Sequence, residues 1–462
     1  MGGFPLSRVG KTPSVVNPAE RWPGGLFDPG KIDSGSHEVG IEGDESMKKI
    51  WDGLSSVRVL DLSTESGFMC GKMMADLGAD VIKVEPPEGA QTYASAHLYG
   101  DGPSQDKGLH WIAYNTGKRC ITLNLDSEEG RRLFLGLAGK VQVVVESFPP
   151  GKMREWRLDY EDLCKINPAL IYTSITPFGR TGPLKDYQVT DLVAMAMGGP
   201  LFLTGDADRP PVQIGYPQAY LHAGAEACVG TLLALYKAEA TGEGQLVDVS
   251  IQESLLTSNF NAVYTWVTEQ ILLTRMGSSR MVGRQLEMPL TWPCKDGFVD
   301  FAVLGGASGG KTMKNLAQWM EEEGMEDDTV GSTDWGSFDF YGLTTEMVDR
   351  VIKPITRFFS KHTKEELFEG SIKRGIMLFP AADAGQILTD PHLKEKGFWQ
   401  EMEYPEKNEK IAFPRPPFRI NDQYPGLRTK APVRGEHNGA VYGELLCLSA
   451  KTLENFKQNG VL

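Results

Sequence analysis

Cysteine is sparse and unpaired in this sequence. Six residues (Cys70, Cys120, Cys164, Cys228, Cys294, Cys447) are scattered over 462 positions with no Cys-x-x-Cys pair, so neither a disulfide framework nor a zinc site is expected. Idle or buried thiols in a reducing compartment are the simplest reading. Positive charge is also in short supply. With 47 Lys and Arg against 61 Asp and Glu, the formal charge is −14, which argues against a nucleic-acid partner, because neutralising phosphates takes clustered cations. A small anionic ligand needs only a local basic pocket and stays compatible with this balance. No apolar run reaches membrane-spanning length and the first residues lack a basic start followed by an apolar core, so no membrane partner and a cytoplasmic location are expected. No Gly-x-Gly-x-x-Gly follows the first predicted strand, which speaks against a dinucleotide site.

What is present is ordinary globular composition, 41% apolar and 23% charged, on a chain longer than one core usually supports. Residues 1–49 are rich in Gly and Pro and read as an extension. From Val57 the pattern alternates strand and helix: strands at Val57–Leu62, Ala79–Val84, Ile121–Leu125, Val141–Val145 and Leu170–Ile175, with an apolar stripe Met69, Met73, Met74, Leu77 at helical spacing and Ser127 as N-cap of a helix to Ala138. That order predicts an α/β fold with a doubly wound, Rossmann-like parallel sheet and a ligand at the carboxyl ends of its strands. Composition changes after the helical stretch that starts past Val249 and runs toward Arg275. A Gly-rich run, an acidic block (Glu321 to Asp328) and a helical region Thr345 to Phe368 read as a smaller α+β domain. The predicted organisation is extension 1–49, large domain 50–280, small domain 281–390, and a return segment 391–462. The acidic block reads as a solvated helix end rather than a metal site.

The most specific stretch runs from Ile175 to Gln252. It holds a Phe-Gly-x-x-Gly-Pro turn (Phe178, Gly179, Gly182, Pro183), a loop with Gly215-x-Pro217, and a helix from about Leu221 to Ala240. A Thr-Gly-x-Gly-Gln turn (Thr241, Gly242, Gly244, Gln245) and the strand Leu246–Ser250 follow. Glu146-Ser147-Phe148-Pro149-Pro150-Gly151, Asn115-Thr116-Gly117-Lys118 and Asp390-Pro391-His392-Leu393 lie on either side in the chain. In this order the motifs resemble those of the family III CoA-transferases, from about Val57 to Asn421.

The resemblance implies an acyl-CoA thioester as substrate, a small organic acid as co-substrate, no permanently bound cofactor, and subunits that interlock as a dimer. It implies that Lys118 meets the nucleotide phosphates and that Phe148 packs on the adenine. Ser147 stands where the family has Asn. Arg154 is the candidate phosphate-binding Arg, displaced by one position because the family's Glu-Arg is here Arg154-Glu155. In the acyl pocket Glu65 and Phe68 stand where relatives carry Gln and Pro, and the family's glycine-rich flap corresponds to Arg280–Gln285, which holds a single Gly.

One departure outweighs the others. The family's nucleophilic Asp lies four residues before the Gly of the helix start; here that Gly is Gly224 and the residue is Tyr220. Acyl exchange through an anhydride needs a carboxylate, and a phenol titrating near pH ~10 is a poor substitute. The chain is therefore expected to be the non-nucleophilic subunit of a heteromeric transferase of the succinyl-CoA:benzylsuccinate type, paired with a homologous Asp-bearing subunit. The alternative is a homodimeric, self-sufficient acyl-CoA enzyme of altered chemistry, racemase- or lyase-like, using Tyr220 or His222 as acid or base. Asp191 and Glu226 are nearby carboxylates in sequence, with a helix-capping role expected for Asp191.

Overall fold

The computed structural model describes residues 51–89, 108–282, 286–338, 344–404 and 409–462. The extension expected at residues 1–49 lies outside them. Six short strands, β1 (Arg58–Leu62), β2 (Asp80–Glu85), β3 (Arg119–Thr122), β4 (Val143–Glu146), β5 (Ile171–Thr176) and β6 (Leu246–Ser250), form one parallel sheet in the order β3-β2-β1-β4-β5-β6. The doubly wound sheet expected from the alternating pattern is thus present. Two- and three-stranded antiparallel sheets accompany it.

Side chains alternate across a strand, and here each set meets its own core. Leu60, Ile82, Val144 and Tyr172 face one side, where they pack with Phe134 and Leu137 and with Val441 and Tyr442 near the carboxyl terminus. Val59, Val81, Val143 and Ile171 face the other side and meet Met74, Ala223 and Ala227. Both faces of the central strands are covered, and Val143–Glu146 is buried along its whole length. Ser127 caps its helix as expected, its Oγ accepting from Gly130 N at 3.0 Å.

The helix Gln218–Thr241 lies on the second face and buries small residues, Ala219, Ala223, Gly224, Ala227 and Ala234, toward the sheet. Small side chains let it approach the helix Phe68–Asp76 closely. At Gly224 a Cβ would stand 2.6 Å from Met69 Cβ, so glycine is required by space rather than by backbone angle.

A separate core of Trp292, Val299, Phe301, Trp319, Phe358 and Phe359 sits on the three-stranded sheet formed by Thr291–Cys294, Gly297–Phe301 and Leu378–Pro380. Several boundaries differ from the sequence expectation. The strand placed at Ile121–Leu125 is β3, Arg119–Thr122. The stretch expected to run helically to Arg275 is two helices, Ile251–Ser258 and Phe260–Glu269, and it stops at Gln270, whose φ of 56° ends the second. The region expected from Thr345 to Phe368 also divides, because Thr363 and Glu366 form a reciprocal cap that starts a new helix at Lys364. Among the described residues, no helix is long and apolar enough to cross a membrane.

The helix contact gives a test of the packing. Gly224→Ala is expected to destabilise the protein by about 1–3 kcal/mol through overpacking. Gly439→Ala, at a helical position with nothing within 4 Å of the added Cβ, is expected to be neutral or stabilising by up to ~1 kcal/mol. Urea denaturation of both variants measures the difference.

Candidate functional site

The carboxyl end of β1 carries a buried carboxylate, Asp61, which organises the loop that follows. Its Oδ1 accepts from Ser63 N at 2.9 Å and from Ser63 Oγ. Its Oδ2 lies 2.8 Å from Lys118 Nζ, with both side chains closed off from solvent. Lys118 also donates to Phe68 O at 3.3 Å. Beside it, Lys83 Nζ donates to Ser63 O at 2.7 Å and pairs with Glu85 Oε1 at 2.9 Å. Burial works to raise the Asp61 pKa, but the ammonium groups of Lys118 and Lys83 outweigh it and hold the carboxyl below its ordinary value. The helix Phe68–Asp76 crosses directly above. A Cβ on Gly71 would stand 2.2 Å from Asp61 Oδ2.

The end of β4 is fixed by a second buried acid. Glu146 accepts from Phe148 N at 2.9 Å and from Ser174 Oγ on β5, and burial raises its pKa to about 7. The next residue, Ser147, accepts from Thr64 N at 2.7 Å and lies 2.9 Å from Thr64 Oγ1. The β4 turn and the β1 loop are therefore tied to each other. Phe148 is half-buried, its ring edge-on to Trp156 at 5.1 Å between centroids.

The long helix starts beside these turns because Asp191 accepts from Ala219 N at 2.9 Å, supplying an acceptor where the first turn leaves its N–H groups unpaired. Tyr220, in that first turn, is half-buried. Burial first, with the carboxylates of Glu65 and Asp191 adding to it, pushes its phenol up to about 12.

These turns enclose a cavity of about 310 Å³ whose lining includes Thr64, Glu65, Ser147, Phe148, Gln188 and Tyr220. A smaller adjoining cavity is bounded by Glu65, His110, Tyr114 and Tyr220. There His110 Nδ1 approaches Glu65 Oε1 to 2.8 Å, and Tyr114 OH lies 2.9 Å from Tyr216 OH. The structure thus brings together Tyr220, Ser147, Phe148 and Glu65. Arg154 lines a neighbouring recess with Glu146, Tyr172 and Arg180. Its side chain is 70% exposed, 3.3 Å from Asp159 Oδ2, while Arg180 clamps the same carboxylate with two 2.8 Å bonds.

Other expected residues lie elsewhere. Lys118 lines neither cavity, its ammonium being turned inward to Asp61 rather than outward to an incoming phosphate. Phe68 borders only the smaller cavity, and His222 and Glu226 border neither, Glu226 being exposed. Of the expected flap, Arg280, Met281 and Val282 lie on the strand Ser279–Val282, paired with Leu286–Pro289; Gly283, Arg284 and Gln285 lie outside the described residues. A larger groove of about 1040 Å³, in the part of the chain carrying Lys311, Lys314, Asp327 and Trp335, contains none of the expected site residues. Sequence reasoning missed His110 and Glu146 as parts of the site, and Arg180 as the partner of Asp159. Arg180 sits inside the Phe-Gly-x-x-Gly-Pro turn and was open to notice, whereas nothing around His110 signals its approach to Glu65.

A doubly wound parallel sheet with a cavity at its strands' carboxyl ends defines an α/β protein with a small-molecule site at that edge. The chain belongs to CoA-transferase family III, whose family model matches residues 54–438. It is 34% identical over 391 residues to the succinyl-CoA:(R)-benzylsuccinate CoA-transferase subunit BbsE of Thauera aromatica, covering 84% of this chain and 93% of that one. It is 31% identical over 401 residues to a succinyl-CoA:mesaconate CoA-transferase of Haloarcula hispanica, covering 85% and 96%. Among solved structures, a CAIB/BAIF family protein from Brucella suis superimposes with a TM-score of 0.71 at 27% identity, covering 85% of this chain and 99% of that one.

Two substitutions test the buried acids. Lys118→Ala is expected to destabilise the protein by about 3–5 kcal/mol, because it leaves Asp61 charged and unpaired inside; chemical denaturation reads this, and unchanged stability would contradict the pairing. For Glu146 the folded pKa is raised from 4.5 to about 7, so the native state holds the extra proton and stability falls as pH rises through that window. Glu146→Gln keeps an acceptor for Phe148 N and removes the titration. Its melting temperature relative to the parent is expected to rise between pH 5 and pH 8, by an amount worth up to ~3 kcal/mol.

Proposed function

We propose that this family III CoA-transferase moves CoA between organic acids, and that it works as the member of a pair of homologous subunits that lacks the family's Asp nucleophile. The observation that carries the proposal is Tyr220, at the head of the long helix and facing the cavity at the sheet's edge. A carboxylate there would attack the thioester carbonyl, break its C–S bond and release CoA as the thiolate, leaving a mixed anhydride that the thiolate or a second acid's carboxylate can open again. A phenol raised to about 12 is neutral at physiological pH, and its acyl product would be an aryl ester.

We read the cavity as the place of an acyl-CoA thioester bound as substrate, and the proposed reaction calls for no permanently bound cofactor. We assign Ser147 and Phe148 to the ligand's path along the β4 turn, and Arg154, the exposed cation beside it, to the phosphates. Lys118 we assign to holding Asp61 and the β1 loop. The alternative of a self-sufficient enzyme using His222 is less well supported, since His222 borders neither cavity at Tyr220.

A second subunit is supported by apolar surface. The helix Phe260–Glu269 buries none of its residues; Phe260, Tyr264 and Val267 are 61%, 57% and 67% exposed, and Leu233 and Tyr236 on the long helix 66% and 77%. Exposure on this scale marks a protein contact. A homologue carrying Asp at the position of Tyr220 is the partner we propose, in the interlocked arrangement implied by the family.

Two experiments test this. Co-expression with an Asp-bearing homologue is expected to give a soluble hetero-oligomer that transfers CoA, whereas the chain alone is expected to aggregate or form an inactive homodimer; transfer by the lone chain at ordinary enzymatic rates would overturn the subunit reading. Arg154→Ala is expected to weaken the binding of free CoA by about 1–3 kcal/mol, the range for losing a charge-assisted hydrogen bond. Calorimetry measures it, and an unchanged affinity would move the phosphate site elsewhere.

A further inference from the structure

The lining of the cavity at Tyr220 carries information about the acyl group, beyond the family's general chemistry. Its walls include Phe148, Pro177, Val189 and the buried Ile175 and Ile251. Among the described residues that line it there is no Lys, Arg or His, and one acid, Glu65. The remaining polar side chains are neutral: Gln188 and Tyr220, and a cluster in which Ser147 Oγ accepts from Thr64 N and Thr64 Oγ1 lies 2.9 Å from Ser147 Oγ and 3.3 Å from Ser66 Oγ. The nearest imidazole, His110, belongs to the adjoining cavity, where its Nδ1 is 2.8 Å from Glu65 Oε1.

A carboxylate taken from water into such a cavity loses hydration, finds no cation among the described lining residues and meets a like charge, and each of these costs free energy. An acyl chain ending in a methyl group or a ring loses nothing comparable and gains contact with the apolar walls. We infer that this cavity takes CoA thioesters whose acyl group carries no second carboxylate, and that Glu65 is the side chain that sets this preference. The inference rests on the proposal that the cavity holds the acyl end of a CoA thioester. It sets this chain apart from relatives named for succinyl-CoA, whose acyl group ends in a carboxylate. Glu65 is 36% exposed at its side chain, so solvent screens part of its charge and a moderate discrimination is expected.

The test uses the full chain, in its hetero-oligomer where that is the soluble form, with free CoA, butyryl-CoA and succinyl-CoA as titrants. The two thioesters have four acyl carbons each and differ in the terminal carboxylate. Calorimetry is expected to show butyryl-CoA binding about tenfold more tightly than succinyl-CoA, and Glu65→Gln to reduce the gap to about threefold or less, chiefly by strengthening succinyl-CoA. Thermal melting of the variant checks that it is folded. Wild-type binding of succinyl-CoA as tight as that of butyryl-CoA would overturn the inference, and a gap untouched by Glu65→Gln would remove Glu65 from it. Failure of free CoA itself to bind would instead defeat the underlying proposal of a CoA site, and this inference with it.

Discussion

An ion pair shut away from water, Asp61 with Lys118, is the constraint on which the edge of the sheet depends. Each of its charges is stable inside only because the other is within 2.8 Å and because Ser63 and Phe68 supply the remaining hydrogen bonds. The pair fixes where β1 ends and how the loop Ser63–Gly67 leaves it, while Lys83 holds the same loop through Ser63 O. It also sets the distance of the overlying helix, because Gly71 leaves room for the Asp61 carboxylate where a side chain would not. That loop carries Thr64 and Glu65 into the cavity. Rigid charge beneath the floor thus becomes defined geometry in the site.

From the loop the constraint passes in two directions. Through Thr64 and Ser147 it reaches the β4 turn, which Glu146 anchors from below by bonding Phe148 N and Ser174. Through the close contact of Met69 with Gly224 it reaches the long helix, whose first turn Asp191 caps. Tyr220 stands where these paths meet. A residue in that place is held from several sides, so a carboxylate there would be well positioned to attack a bound thioester, and the phenol's neutrality removes the attacking charge without disturbing the scaffold. Under the proposed function, the same architecture would serve binding and assembly while a partner subunit supplies the carboxylate for the covalent step.

The fold was largely legible because its sheet is buried on both sides. Val143–Glu146 and Ile171–Thr176 are rich in β-branched residues, which favour strand over helix, and Leu246–Ser250 came out at its expected bounds. Breaks within helical stretches were less so. Asn259 and Gln270 end helices through local backbone angles that no proline or glycine announces. In the site, Tyr220, singled out by its place relative to Gly224, lies in the cavity's lining. The burial of Lys118 was not legible, because its partner Asp61 lies 57 positions away, and a lysine in a turn looks alike whether it faces solvent or the core. Asp191 was expected to cap a helix, and it does, although the helix it serves begins at Gln218. Glu65 and His110 lie 45 positions apart (110 − 65 = 45), and only the tertiary fold makes them neighbours.

The central claim is that this chain holds an acyl-CoA thioester without forming a covalent intermediate on itself. Intact-mass spectrometry of the purified chain after incubation with an acyl-CoA, with and without hydroxylamine, tests it most directly. The account predicts an unchanged mass for this chain under both conditions. An acyl or CoA adduct that hydroxylamine removes, whether it maps to Tyr220, Glu65, Asp191 or Glu226, would contradict it and make the chain a nucleophile in its own right.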